Sequence, residues 1–153
     1  MSSYHLVQLN IGRMLAPLDD PAMAGFVTRL EEINALAERS PGFVWRLQSE
    51  EGDATSIRPF DDERILVNMS VWESIESLRE YAFRSAHSEL LKQRRQWFEK
   101  FERAYSVLWW VEAGYLPTVE EAKQRLEHLQ QHGETPAAFT FQKTFPPPNN
   151  RNE

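Results

Sequence analysis

No cysteine occurs among the 153 residues. Disulfides, thiolate nucleophiles and Cys-ligated metal sites are therefore excluded, and the lack of disulfides fits a cytoplasmic setting, which is the expectation. Basic charge is also scarce: 17 Lys and Arg stand against 23 Asp and Glu, for a net charge of −6. A nucleic-acid partner requires a surface that neutralises phosphates, so none is expected. No apolar run approaches the ~20 residues that span a bilayer. The opening MSSYHLVQLN has no basic stretch leading into an apolar one. Neither a membrane span nor a secretion signal is therefore expected. Phosphate loops, dinucleotide fingerprints and nucleophile elbows are missing as well.

Aromatic residues, in contrast, are plentiful. Five Trp and nine Phe point to an aromatic-rich core or interface. The chain length suits one domain, taken as residues 1–145, followed by a Pro-rich tail over 146–153 expected to be disordered.

Residues 4–11 (YHLVQLNI) alternate in the manner of a strand. Asp20-Pro21 reads as an N-cap with Pro at the first helical position. Met23, Phe26, Val27, Leu30, Ile33 and Ala37 then fall on one helical stripe, which Ser40-Pro41-Gly42 ends. Strands are predicted over 43–48 and 65–72, with a long acidic loop between them. A helical region is predicted from about 74 to 101, broken near Ser85. A fourth strand covers 105–112. Thr118 with Glu121 forms a capping box for one more helix, closed by Gly133. Residues 137–141 (AAFTF) read as a short edge strand. The order β-α-β-β-α-β, with an added helix and strand, predicts an α+β ferredoxin-like split βαβ fold. Helices on one sheet face leave the other, mixed face to be covered. That face carries Gln8, Asn10, Arg46, Asn68, Ser70, Trp110 and Glu112. Two such faces packed together give a homodimeric barrel, which is the expected assembly.

The stretch 64–101 carries the chemistry. His87 and Arg94 share a stripe with Leu90, Leu91, Trp97, Phe98 and Phe101. A ring nitrogen near neutrality can exchange a proton with a phenol-like ligand, which makes His87 the candidate catalytic base. Arg94 is the candidate anion anchor. Trp72, Trp97, Asn68 and Tyr81 complete the candidate ligand-binding set. The competing reading satisfies His87 in the core and packs the Arg94 stem on Trp97 or Leu90. Trp109 and Trp110 point to opposite sheet faces and cannot line one cavity. His128 and His132, at i and i+4, have a spacing that can bind zinc, but they read as an exposed helix-end pair, and no metal is expected.

The run RILVNMSVWESIESLREYAFRSAH resembles the signature of dimeric α/β-barrel proteins of the antibiotic-biosynthesis-monooxygenase type, through Val71, Trp72, Ser74, Ser85 and His87. More widely, APLDDP, SPGFVWRLQ, IRPFDDERILVNMSVWES, RRQWFEKF, LWWVEAGYLPTVEEAKQRLEHL and FTFQKTFP resemble a bacterial family known only as a domain of unknown function. The resemblance implies the dimeric barrel fold and a small-molecule site. It suggests either a cofactor-free monooxygenase-like enzyme acting on an aromatic molecule or a non-enzymatic ligand-binding or structural homodimer. The haem-degrading members of the superfamily place an Asn, a Trp and a His at set positions. Here Asn10 matches the first, but Tyr81 and Leu91 stand at the other two, so haem is not expected and the cofactor reading is none.

Overall fold

The computed structural model describes residues 4–17, 19–47, 65–84, 96–99 and 105–148. Its strands are β1 (Tyr4–Arg13), β2 (Phe43–Arg46), β3 (Ile65–Trp72) and β4 (Ser106–Glu112). Its helices, among the described residues, are α1 (Ala24–Glu38), α2 (Ile75–Arg84) and α3 (Val119–His132). The strands lie in the order β2-β3-β1-β4, and every neighbouring pair is antiparallel. Each crossover, through α1 and through α2, skips one strand. This is the ferredoxin-like α+β topology.

Strands β1 and β3 take the centre because they are apolar at both parities. Leu6, Val7, Leu9 and Ile11 are all buried, as are Leu66, Val67, Met69 and Val71. Asp20 caps the entry to α1 through a 2.9 Å bond from Ala22 N–H to Oδ1, and a 3-10 turn at Pro21–Met23 leads into the helix. Thr118 Oγ1 accepts from Glu121 N–H at 3.1 Å, and Gly133 closes α3 at φ 74°. Gly42 sits at φ 85°, and a Cβ there would meet Ser77 Cβ at 2.4 Å. Only glycine lets the start of β2 approach α2 this closely.

The layers differ from the sequence expectation. Val7, Leu9, Val67, Met69, Val107 and Trp109 pack against Ala122, Leu126 and Leu129 of α3. The mixed face, expected to pair with a second sheet, carries α1 and α2 instead: Leu6, Trp72 and Leu108 pack with Ala37 and Leu78. A homodimer through that face therefore loses its stated basis. Alternation fixes which residues share a face, but both faces here are apolar enough to hold helices.

Two further expectations are corrected. Trp97 and Phe98 do not continue a helix. Phe98 bridges Met14, Leu15 N–H donates to Trp97 C=O (2.8 Å), and Glu99 N–H donates to Arg13 C=O (2.9 Å). The end of β1 needs backbone partners, and this segment supplies them; Arg13 and Glu99 add an ion pair. The strand read over 137–141 shrinks to one pairing, in which Leu108 and Phe139 exchange both backbone bonds. Tight turns on either side, closed by the Thr135–Ala138 and Thr140–Lys143 bridges, prevent a longer ladder.

Phe139 is nevertheless fully buried and meets Phe145 edge-on. Phe139→Ala should lower unfolding stability by roughly 3–5 kcal/mol, as large-to-small core changes do. A urea melt is the check, and a midpoint like that of the parent would contradict this packing.

Candidate functional site

The helix-covered face of the sheet is built in rows set by strand register. One row is aromatic: Phe43, Trp72, Leu6 and Trp110 lie side by side. The next is Arg46, Ser70, Gln8 and Leu108, and beyond it come Asn68, Asn10 and Ser106. A fourth pairs Leu66 with Gly12. The Phe98 ring lies over Gly12, with a ring carbon 2.7 Å from where a Cβ would stand. Successive rows are about 7 Å apart. Two polar rows thus separate two apolar clusters on one face.

The first cluster holds Trp72, Leu78, Phe43 and Tyr81. Tyr81 of α2 stacks on Trp72 with ring centroids 4.9 Å apart, and Phe43 meets Trp72 edge-on at 5.6 Å. The second holds Met14, Phe26, Leu66, Trp97 and Phe98. Phe26 meets Phe98 edge-on at 4.9 Å.

The polar floor between them is hydrogen-bonded. Gln8 Nε2 donates to Asn68 Oδ1 (2.8 Å) and to Ser70 Oγ (2.9 Å). Trp72 Nε1 donates to the same Ser70 oxygen (2.8 Å). Gln8 and Ser70 are each only 7% exposed, whereas Asn68 is open to solvent although it sits mid-strand at the sheet centre. The polar rows therefore reach solvent at Asn68. Arg46 is held by Glu38 of α1 (Nε to Oε2, 3.0 Å). Burial raises the Tyr81 phenol well above its ordinary value, the Arg46 guanidinium opposing this only in part. Tyr81 also donates to Ile33 C=O (3.3 Å). It keeps its proton at neutral pH and is therefore not poised as a base.

Of the residues singled out in the sequence, Trp72, Tyr81 and Asn68 come together around this floor. Trp97 lies in the facing cluster, packed on Phe26 and Gly25. His87 and Arg94 lie outside the described residues. Gln8, which links Asn68 to Ser70, was passed over as a ligand residue. Its signal was a long polar side chain inside an otherwise apolar central strand. Trp110, assigned to a barrel interior or dimer interface, instead donates its indole N–H to Phe145 C=O (2.8 Å). The His128 and His132 rings are tilted against each other with centroids 4.6 Å apart, and His128 Nε2 lies 3.2 Å from Thr135 Oγ1. Among the described residues no group of three or more His, Cys, Asp or Glu is placed to hold a metal ion, and no helix is long and apolar enough to cross a membrane.

The strand order and the two crossovers define a ferredoxin-like α+β protein. A family model for a domain of unknown function (DUF3291) matches residues 5–153, and the chain belongs to that family. A search of curated proteins returned no match. Solved structures similar to the chain include a mutant of SnoaB, a cofactor-independent oxygenase from Streptomyces nogalater (16% identity, 73% of this chain and 95% of that one, TM-score 0.49). A conserved protein from Methanosarcina mazei Go1 is similar at 13% identity, 72% and 93% coverage and a TM-score of 0.47. A haem-degrading protein from Mycobacterium tuberculosis is similar at 18% identity, 76% and 99% coverage and a TM-score of 0.40.

The Tyr81 phenol yields a prediction about alkaline stability. Its folded value lies above the unfolded value of about 10. The unfolded chain therefore releases this proton first as pH rises. The stabilisation is complete below about pH 10 and is lost progressively above it. Tyr81→Phe should flatten that loss, read as stability against pH from 9 upward by urea melts. An unchanged slope would show that Tyr81 is not the group responsible.

Proposed function

We propose that the cleft between the helices and the sheet binds a flat aromatic small molecule. The observation that carries this reading is the polar floor of Asn68, Gln8 and Ser70 between two aromatic clusters, exposed at Asn68 and buried at Gln8 and Ser70. A ring held between such clusters keeps its faces on apolar carbon while its oxygens meet the floor. Trp72, Tyr81 and Trp97 are the proposed apolar contacts, and Asn68 is the polar contact at the mouth.

A monooxygenase-like reaction on the bound ring is the finer part of the proposal. His87 enters as the proton acceptor and Arg94 as the anion anchor, both on the sequence alone. Neither haem nor another cofactor is part of the reading. The alternative is a ligand-binding protein without turnover, and the described residues favour it to this extent: the floor offers amides and a hydroxyl, and Tyr81 keeps its proton.

A naphthol titrated into the protein should bind saturably and shift the Trp72 indole N–H resonance. Asn68→Ala removes one acceptor of the buried Gln8 amide and should lower stability by about 1–3 kcal/mol while the chain still folds, and it should bind roughly fivefold more weakly, the worth of about one net hydrogen bond. Binding that leaves Trp72 unmoved and ignores Asn68 would place the ligand elsewhere and end this reading.

Self-association is a separate part of the proposal. Tyr115 and Leu116, adjacent residues between β4 and α3, are 46% and 51% exposed, and a second copy would cover them. Light scattering at micromolar concentration should give the mass of two chains. A single-chain mass would remove the homodimer.

A further inference from the structure

The hydrogen bonds of the floor have a direction, and the direction selects a ligand. An indole N–H can only donate, so Ser70 Oγ must accept from Trp72. The same oxygen accepts from Gln8 Nε2. A hydroxyl has two acceptor positions and one proton. Both acceptor positions of Ser70 are therefore filled, and its proton is the hydrogen-bonding capacity that is left. Among the described residues nothing accepts that proton. Asn68 is polarised the same way: its Oδ1 takes the other bond from Gln8, and its NH₂ is a donor with no bond among the described residues. Ser70 and Asn68 thus keep donor capacity in the floor, Gln8 keeps its Oε1 as an acceptor, and Arg46 lies in the same row as Ser70.

From this geometry we infer that Ser70 is a specificity-determining donor. It makes the cleft select aromatic ligands that present an acceptor oxygen without a proton of its own, a ring carbonyl or an aromatic carboxylate. The inference rests on the reading of the cleft as an aromatic-binding site and adds the polarity of its ligand. A ligand without such an oxygen leaves the buried Ser70 proton unpaired, whereas one that carries it completes the network. A ligand hydroxyl in its place must turn its own proton away from Ser70 and from the Asn68 amide, since both already donate.

The test compares naphthalene, naphthoquinone and naphthoate by calorimetry on the full chain. The chain has no cysteine, so the quinone meets no thiol to alkylate. Naphthoquinone or naphthoate should bind at least roughly five- to tenfold more tightly than naphthalene, as expected for a hydrogen bond made to a buried donor. A preference for the quinone alone identifies a carbonyl as the recognised group, and a preference for naphthoate alone an anion. Ser70→Thr keeps the hydroxyl and should keep the preference. Ser70→Ala should bring the three affinities together. If Ser70→Ala fails to fold, the parent comparison and the Thr variant still decide. Equal affinity for all three ligands in the parent overturns the inference and leaves the aromatic cleft standing. Binding of none of them overturns the aromatic cleft itself, and the inference with it.

Discussion

A buried side-chain amide at the centre of a sheet has to be hydrogen-bonded, because an unpaired one costs ~1–3 kcal/mol. Gln8 is such a group, and β1 and β3 are registered so that it lies opposite Ser70. A slip of one residue would send Gln8 and Ser70 to opposite faces and break both of its bonds. It would also carry Val7, Leu9, Val67 and Met69 away from α3. Polar and apolar requirements therefore select the same register. The rest of the sheet follows from β1, which pairs with β3 on one side and β4 on the other.

The same register creates the cleft. Gln8, Ser70, Asn10 and Asn68 occupy two consecutive rows where apolar residues would have closed the face. Apolar residues of similar volume there would join the Trp72 and Phe98 clusters into one core and bury more carbon. The polar rows forgo that stabilisation, and central strands that break their own pattern are where function is expected. The aromatic clusters on either side hold the helices in place without the middle: Tyr81 on Trp72, and Phe26 on Phe98 and Trp97.

Much of the fold could be read from alternation and capping. The strand 65–72, the Asp20 and Thr118 caps and the Gly133 stop all depend on local chemistry, and each stands where its residues place it. What could not be read depends on contacts distant in sequence. Trp97 and Phe98 sit at helical spacing from Leu90 and Leu91, but the backbone at the end of β1 draws them into bridging. Apolar spacing carries no information about that demand. Nor could the face covered by α1 and α2 be told from strand parity, because Leu6, Trp72 and Leu108 make the mixed face nearly as apolar as its opposite. Of the site, Asn68, Trp72 and Tyr81 were recognisable as residue types in the right elements. Their link through Gln8 and Ser70 needs the β1–β3 register, which joins positions about sixty residues apart.

The contrast between the two faces bears on where a ligand can go. Against α3, Val7, Leu9, Met69 and Trp109 are at most 1% exposed. The Trp109 indole there spends its N–H on Glu121 Oε2 (3.0 Å), whose other oxygen takes the Tyr115 hydroxyl (2.6 Å). That face is dry and its indole donor is paired, so a ligand would have to displace α3 and unpair a buried donor. On the opposite face the apolar cover is interrupted, the exposed Asn68 marks an opening, and the Ser70 proton has no acceptor among the described residues. A ligand that reached Ser70 there would supply a bond that is missing among the described residues. The added helix α3 therefore has a consequence beyond stability: it covers one face of the sheet, and the proposed ligand site lies on the other.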